Sequence, residues 1–103
     1  VALGWTLEST LAPVDAQHRA AVHVVVRDAA GRPVDGARVR VEGFSIARSA
    51  RPVAATLAAA PGAYRGTLPV DHLGQWELRF EVTQGGERFT AVKRLDAVPA
   101  PVD

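Results

Sequence analysis

The sequence predicts an all-β domain, an immunoglobulin-like sandwich of two sheets with about seven antiparallel strands. Three observations support this fold class. Apolar and polar residues alternate with a period of two along most of the chain. The apolar residues are rich in valine, whose branched Cβ favours strands. Glycine, proline and aspartate are clustered between the alternating segments, at the short spacing typical of two-sheet sandwiches.

Two strands are predicted in the first third of the chain. The first covers residues 5–11 and is ended by Pro13. The second covers residues 21–26, where every second residue is a valine that we expect to point inward. The Asp-Ala-Ala-Gly-Arg-Pro segment that follows, residues 28–33, predicts a turn because Asp, Gly and Pro each favour turn geometry.

Two further strands are predicted in the middle of the chain. Asp35 and Gly36 form a second turn signal, after which residues 37–42 alternate as a strand. Residues 62–70 form another predicted strand, because Tyr64, Gly66, Leu68 and Val70 fall on one face.

The alanine-rich segment between these strands gives the weakest signal. Residues 54–60 have a composition that favours helix. However, Leu57 is the one bulky side chain, so a helix would have almost no apolar face to bury. We therefore predict a loop through Pro52 and a short strand over residues 53–57.

A β-hairpin is predicted near the C-terminus. Gly85 and Gly86 suit a two-residue loop between two alternating segments. Lys93 is the exception on the otherwise apolar inner face. Folding the chain about the glycines pairs Val82 with Phe89, Phe80 with Ala91, Trp76 with Leu95 and, on the outer face, Glu77 with Arg94. Trp5 and Trp76 are predicted to form the centre of the core.

Composition restricts the function. The 103 residues, 1–103, form one domain. The net charge of +1 arises from interspersed acids and bases, so there is no basic face for nucleic acid. The chain has no cysteine, which excludes disulfides, thiolate metal sites and a thiol nucleophile. No run of about 18 apolar residues is present, and no phosphate-binding loop or small-molecule substrate site is predicted.

Several short motifs resemble the periplasmic domain of FixH proteins and the related YtkA-like domains. The resemblance covers nearly the whole chain. Its motifs are Leu3-Gly4-Trp5, Gly31-Arg32-Pro33-Val34-Asp35-Gly36-Ala37-Arg38-Val39, Gly62-Ala63-Tyr64, Gly74-Gln75-Trp76-Glu77-Leu78 and Phe89.

The resemblance implies an immunoglobulin-like domain on the periplasmic side of the bacterial inner membrane, anchored by a helix upstream of Val1. It also implies a non-catalytic accessory role in the assembly or copper supply of a cbb-type cytochrome oxidase. The implied partners are membrane oxidase subunits or a copper-exporting ATPase. No catalytic residues are carried over from the family.

Copper binding is an alternative function. Imidazole suits copper, and His23 lies on the outer face of its predicted strand with His18 in the preceding turn, so these two side chains could converge. His72 lies in a more distant turn. Because the chain lacks Met and Cys, the soft ligands of Cu(I) carriers are missing. We therefore predict no bound cofactor and keep His18 and His23 as the candidate copper ligands.

An enzymatic function is not predicted. Ser9, Ser45 or Ser49 could in principle join a histidine and an aspartate, but no Gly-x-Ser-x-Gly motif accompanies them. A third alternative is a generic secreted adhesion or carbohydrate-binding domain, although six aromatic residues leave few for a binding platform.

A protein-docking patch is predicted after the third strand. Phe44 and Ile46 fall beyond the alternating segment, where they either cap the end of the sandwich or remain exposed. Arg48 and Arg51 would form the rim of an exposed patch, which fits the enrichment of aromatic residues and arginine at interfaces.

Overall fold

The structure, a computed structural model, describes residues 4–46 and 52–100. These residues form seven strands and no helix, and hence contain no helix that could span a membrane. Every pairing between strands is antiparallel, which confirms the predicted all-β class. The strands are β1 (Thr6–Leu11), β2 (Arg19–Arg27), β3 (Arg38–Ser45), β4 (Val53–Ala60), β5 (Ala63–Pro69), β6 (Gly74–Gln84) and β7 (Glu87–Ala97).

The seven strands form one continuous sheet in the order β1-β2-β5-β4-β3-β6-β7. Strand β4 connects the two halves, because residues 53–57 pair with β3 and residues 58–60 pair with β5. The strands at the two ends of the order, β1 and β7, contact each other. The sheet is therefore nearly closed and barrel-like, whereas the sequence predicted two separate sheets.

Strand β4 is longer than predicted, extending to Ala60 rather than Leu57. Its alanines favour helix as isolated residues, but pairing with β3 over residues 53–57 and with β5 over residues 58–60 overrides that preference. At the point where β4 changes partner, Leu57 is buried against Gly66 of β5. A Cβ atom at Gly66 would lie 2.5 Å from Cδ2 of Leu57. The absence of a side chain at Gly66 thus makes room for Leu57.

The core follows the predicted alternation. Val22, Val24 and Val26 of β2 are buried, as are the bulky inward residues of β3, β5 and β6, including Trp76. Trp5, however, is only partly buried and packs on Phe89 of β7, with 6.2 Å between ring centroids. The prediction that Trp5 lies at the centre of the core is therefore wrong, since Trp5 instead covers the gap between β1 and β7.

The C-terminal hairpin has the predicted register in all four pairs, including Glu77 with Arg94. Gly85 has a φ of 57°, and Gly86 is not in the positive-φ region. One positive φ at the first loop position is typical of a type II′ turn. Lys93 is half-buried on the inner face opposite Leu78.

Tyr64 of β5 stabilises the segment that connects β2 to β3 by hydrogen bonding to its backbone. Its buried hydroxyl donates to the carbonyl of Val34 at 2.6 Å and accepts from the N–H of Ala37 at 3.1 Å. Substitution Tyr64→Phe leaves both backbone groups without this partner, and we expect it to lower the free energy of unfolding by about 1–3 kcal/mol in denaturant titrations. Thr67→Val, which removes an exposed hydroxyl from the same strand, should change it by less than about 0.5 kcal/mol. Equal stability of the two variants would contradict this role.

Candidate functional site: the apolar end patch

Exposed apolar side chains are concentrated at one end of the barrel. Among the described residues, four large hydrophobic residues are exposed, and Ile46 (39%), Leu73 (56%) and Val98 (46%) lie at strand ends. Because successive strands are antiparallel, the end of β3, the start of β6 and the end of β7 lie at the same end of the sheet. Gly4, which precedes β1, lies at the opposite end.

The sheet register makes these side chains neighbours. The N–H of Ile46 donates to the carbonyl of Gln75 at 2.9 Å. Leu73 directly precedes Gly74 at the start of β6, and Val98 directly follows Ala97, the residue of β7 that is paired with Gly74. Phe44, two residues before Ile46, lies on the outer face of the same strand. We call Phe44, Ile46, Leu73 and Val98 the apolar end patch.

Phe44 was predicted to lie beyond the third strand, but the structure places it within that strand. Strand β3 continues to Ser45, so Phe44 lies within the strand on its outer face and does not cap the barrel end. Its ring is half-buried beneath the guanidinium of Arg79, whose Cζ lies 5.2 Å from the ring centroid. Arg79 Nε also donates to Oε2 of Glu77 at 2.9 Å. The predicted rim residues Arg48 and Arg51 lie outside the described residues.

A small pocket adjoins the apolar end patch through Leu73. It has a volume of about 230 Å³ and an apolar floor that includes the buried residues Val14 and Val70. The segment after β7 closes its side, where the N–H of Val14 donates to the carbonyl of Val98 at 2.8 Å. We call it the histidine pocket, and its lining residues are Val14, Asp15, His18, Val70, Asp71, His72, Leu73 and Pro99.

The polar groups of the histidine pocket have defined local roles. Asp15 Oδ1 accepts hydrogen bonds from the N–H groups of Gln17 and Arg19, and thereby stabilises a turn in which His18 has a φ of 59°. The carbonyl of His72 accepts a hydrogen bond from the indole N–H of Trp76 at 2.9 Å. Across residues 4–46 and 52–100, no three side chains of the types that bind metals form a group that could hold an ion.

The two histidines proposed as copper ligands lie on different surfaces. His23 is on the outer face of β2, opposite Thr10 and Arg65. His18 precedes β2 and lines the histidine pocket with His72. Four residues of extended strand separate Arg19 from His23, roughly 13 Å of backbone. His18 and His23 therefore do not converge as predicted, whereas His18 and His72 line the same pocket.

The serines show no catalytic arrangement in the described part of the chain. Ser45 is buried opposite Trp76. The hydroxyl of Ser9 is buried on the inner side of β1 without a hydrogen-bond partner. Ser49 lies outside the described residues.

The sequence did not identify Leu73, Val98 or Arg79 as surface-site residues. Leu73 and Val98 look like ordinary members of apolar segments, and they become neighbours because β6 and β7 are paired. A signal for Arg79 was present, since the hairpin register places it on the same face as Glu77. The position of Phe44 on that face required the pairing of β3 with β6.

These features define a small all-β domain with an exposed apolar end. The chain belongs to the FixH family, whose profile matches residues 1–96. This membership confirms the resemblance found in the sequence motifs. No curated protein matches the chain.

Solved structures share the fold at low sequence identity. A DUF4426 family protein from Pseudomonas aeruginosa PAO1 is similar with a TM-score of 0.73 and 14% identity, over 95% of this chain and 94% of that protein. MtrC from Shewanella baltica OS185 is similar with a TM-score of 0.57 and 13% identity. That match covers 92% of this chain but 23% of MtrC.

Proposed function

We propose that this FixH-family domain is a non-catalytic periplasmic accessory domain that docks onto membrane proteins through the apolar end patch. The partners are subunits of a cbb-type cytochrome oxidase or a copper-exporting ATPase, and the role is oxidase assembly or copper supply. Family membership over residues 1–96 supports the class of partner. The single observation that carries the docking mode is the grouping of Ile46, Leu73 and Val98 at one exposed end.

The apolar end patch has the composition of an interface centre. Exposed apolar groups rimmed by polar residues are typical of protein contact sites. Phe44 with Arg79 above its ring supplies an aromatic residue and an arginine, the types enriched where binding energy is concentrated. A partner that covers these side chains would remove their apolar surface from water, and each buried CH₂ group would contribute about 0.8 kcal/mol.

The position of the patch is compatible with a membrane-anchored protein. In this proposal an N-terminal helix holds the domain at the periplasmic side of the inner membrane. Gly4 and the apolar end patch lie at opposite ends of the barrel, because β1 runs from one end to the other. The patch would then face away from the anchor, where it is accessible to the extramembrane parts of a partner.

We also propose that the fold is a variant of the immunoglobulin sandwich. The halves β1-β2-β5-β4 and β3-β6-β7 have the strand order of the ABED and CFG sheets of constant-type domains. The variation is the pairing of β4 with β3, which links the two halves.

The proposed function is tested by affinity capture with the full-length protein from detergent-solubilised membranes of its own cells. We expect oxidase subunits or the copper-exporting ATPase among the captured proteins, identified by mass spectrometry. A strain lacking the protein should contain less assembled, haem-stained oxidase. Recovery of neither partner, together with normal oxidase content in the deletion strain, would refute the proposal.

Copper binding remains a second candidate because His18 and His72 line one pocket. Two imidazoles can bind Cu(II) with water completing the coordination. Titration of chelator-treated protein with Cu(II) should then show a dissociation constant near or below about 1 μM, weakened at least tenfold by His72→Ala. The same substitution at His23 is the control and should have no effect. Binding weaker than this, or equal loss in both variants, would remove the candidate.

A further inference from the structure

Two exposed arginines lie at the start of β3, and the apolar end patch lies at the other end of that strand. Arg38 and Arg40 project from the outer face of β3 beside β4. They form one side of a depression of about 380 Å³ whose remaining lining residues are Ala54, Ala55 and Thr56. Because these side chains are small, the outer surface beside the arginines is unobstructed.

The charges of the two arginines are not neutralised by the described part of the protein. Neither guanidinium lies within 4 Å of a carboxylate among these residues. Glu81, the cross-strand neighbour of Arg40, is paired with Arg88 at 2.6 Å. Glu42 lies on the same face, and its cross-strand neighbour on β6 is Arg79.

The arrangement favours a polymeric ligand over a single small anion. One exposed ion pair contributes only about 0–1 kcal/mol, so an open surface holds an anion weakly. Alternate residues of a strand are about 6.6–7 Å apart, and Arg38 and Arg40 have this spacing. Alternate carboxylates of an extended peptide have the same spacing, so both arginines could be engaged at once.

The neighbouring acidic residues favour a protein over other polyanions. Glu42 and Glu81 lie beside Arg40 on this face. Closely spaced phosphates of nucleic acid or of a lipid surface would be repelled by these carboxylates. A peptide can place an acidic residue opposite each arginine and a neutral or basic residue opposite Glu42.

We propose that the outer face of β3 and β4 binds an extended acidic segment of a protein partner, with Arg38 and Arg40 each pairing with a carboxylate. This surface is separate from the apolar end patch and does not depend on the proposed function. Guanidinium–carboxylate pairs are the strongest of the charge-assisted hydrogen bonds available here, which gives the segment its register.

The proposal is tested by NMR titration of the ¹⁵N-labelled chain with the blocked peptide (Glu-Ser)₄ at about 0.1 M ionic strength, where charges more than about 10 Å apart are largely screened. We expect the largest amide shifts on β3 and β4 around Arg40 and Thr56. The double substitution Arg38→Glu/Arg40→Glu should weaken binding by at least about tenfold. Arg19→Glu, a charge reversal at an exposed arginine at the start of β2 that pairs with neither β3 nor β4 and lies at the opposite end of the sheet, should change binding less than about twofold.

Three comparisons complete the test. Arg38→Gln/Arg40→Gln should also weaken binding, and it replaces the double reversal if that variant does not fold. Inorganic phosphate at the same charge concentration and vesicles containing an anionic lipid should leave the β3 and β4 resonances nearly unshifted. The proposal is overturned if phosphate or vesicles produce the same shifts, if Arg19→Glu weakens binding as much as the double variant, or if the peptide binds all variants equally.

Discussion

Replacing Trp76 with alanine is expected to lower the free energy of unfolding by about 3–5 kcal/mol. The side chain is 2% exposed, and its removal would leave a large cavity in the core that β3 and β6 cover. The substitution also removes the hydrogen bond from the indole N–H to the carbonyl of His72. A loss of this size approaches the whole stability of many domains, so the variant should be largely unfolded at 37 °C.

Thermal and denaturant unfolding followed by circular dichroism would measure the effect. Trp76→Phe is the matched variant, because it retains an aromatic ring in the core but has no N–H group. We expect an intermediate loss of stability for Trp76→Phe, with amide shifts concentrated at residues 71–73. If Trp76→Ala lost less than about 1.5 kcal/mol, the tryptophan would not be the main packing element at this end of the core.

Changing Ile46, Leu73 and Val98 together to serine is expected to reduce partner capture by at least about tenfold. Truncating central apolar residues of an interface commonly costs about 2 kcal/mol or more, which corresponds to roughly thirtyfold in affinity. Because all three side chains are exposed, the stability of the domain should change little. Capture of oxidase subunits or of the copper exporter by the full-length variant would measure the effect.

The control for this experiment is Val92→Ser. Val92 is 58% exposed, but it lies on the outer face of β7 five residues before the end of that strand. Its substitution should leave capture unchanged. Equal losses for Val92→Ser and the triple variant would indicate a general effect of surface hydrophobicity, and undiminished capture by the triple variant would place the docking surface elsewhere.

The sequence predicted the fold best where two constraints act on the same residues. In the C-terminal hairpin, the loop glycines and the alternation on both faces allow one register, and that register is found. In β4 these constraints are missing, because alanine is compatible with either helix or strand. Its strand conformation is decided by pairing with β3 and β5, the strands before and after it, rather than by its own side chains.

The candidate site was predicted only in part for a similar reason. Phe44 and Ile46 were recognisable as apolar residues at the end of an alternating segment. Leu73 and Val98 join them because three strands end at the same side of the sheet, which depends on strand order. Likewise, His18 is near His72 rather than His23, since the turn before β2 adjoins the segment after β5: the N–H of Val70 donates to the carbonyl of His18 at 2.7 Å.

Lys93, the single lysine of the chain, has a consequence for self-association. Strand β7 ends the sheet order and has eleven residues, whereas β1 beside it has six. A long unpaired strand edge can recruit identical chains into growing β-structure. An inward-pointing ammonium opposes such growth, because an added strand would have to bury the charge. We therefore expect Lys93 to disfavour growth of the sheet beyond β7, a protection that the apolar end patch does not have.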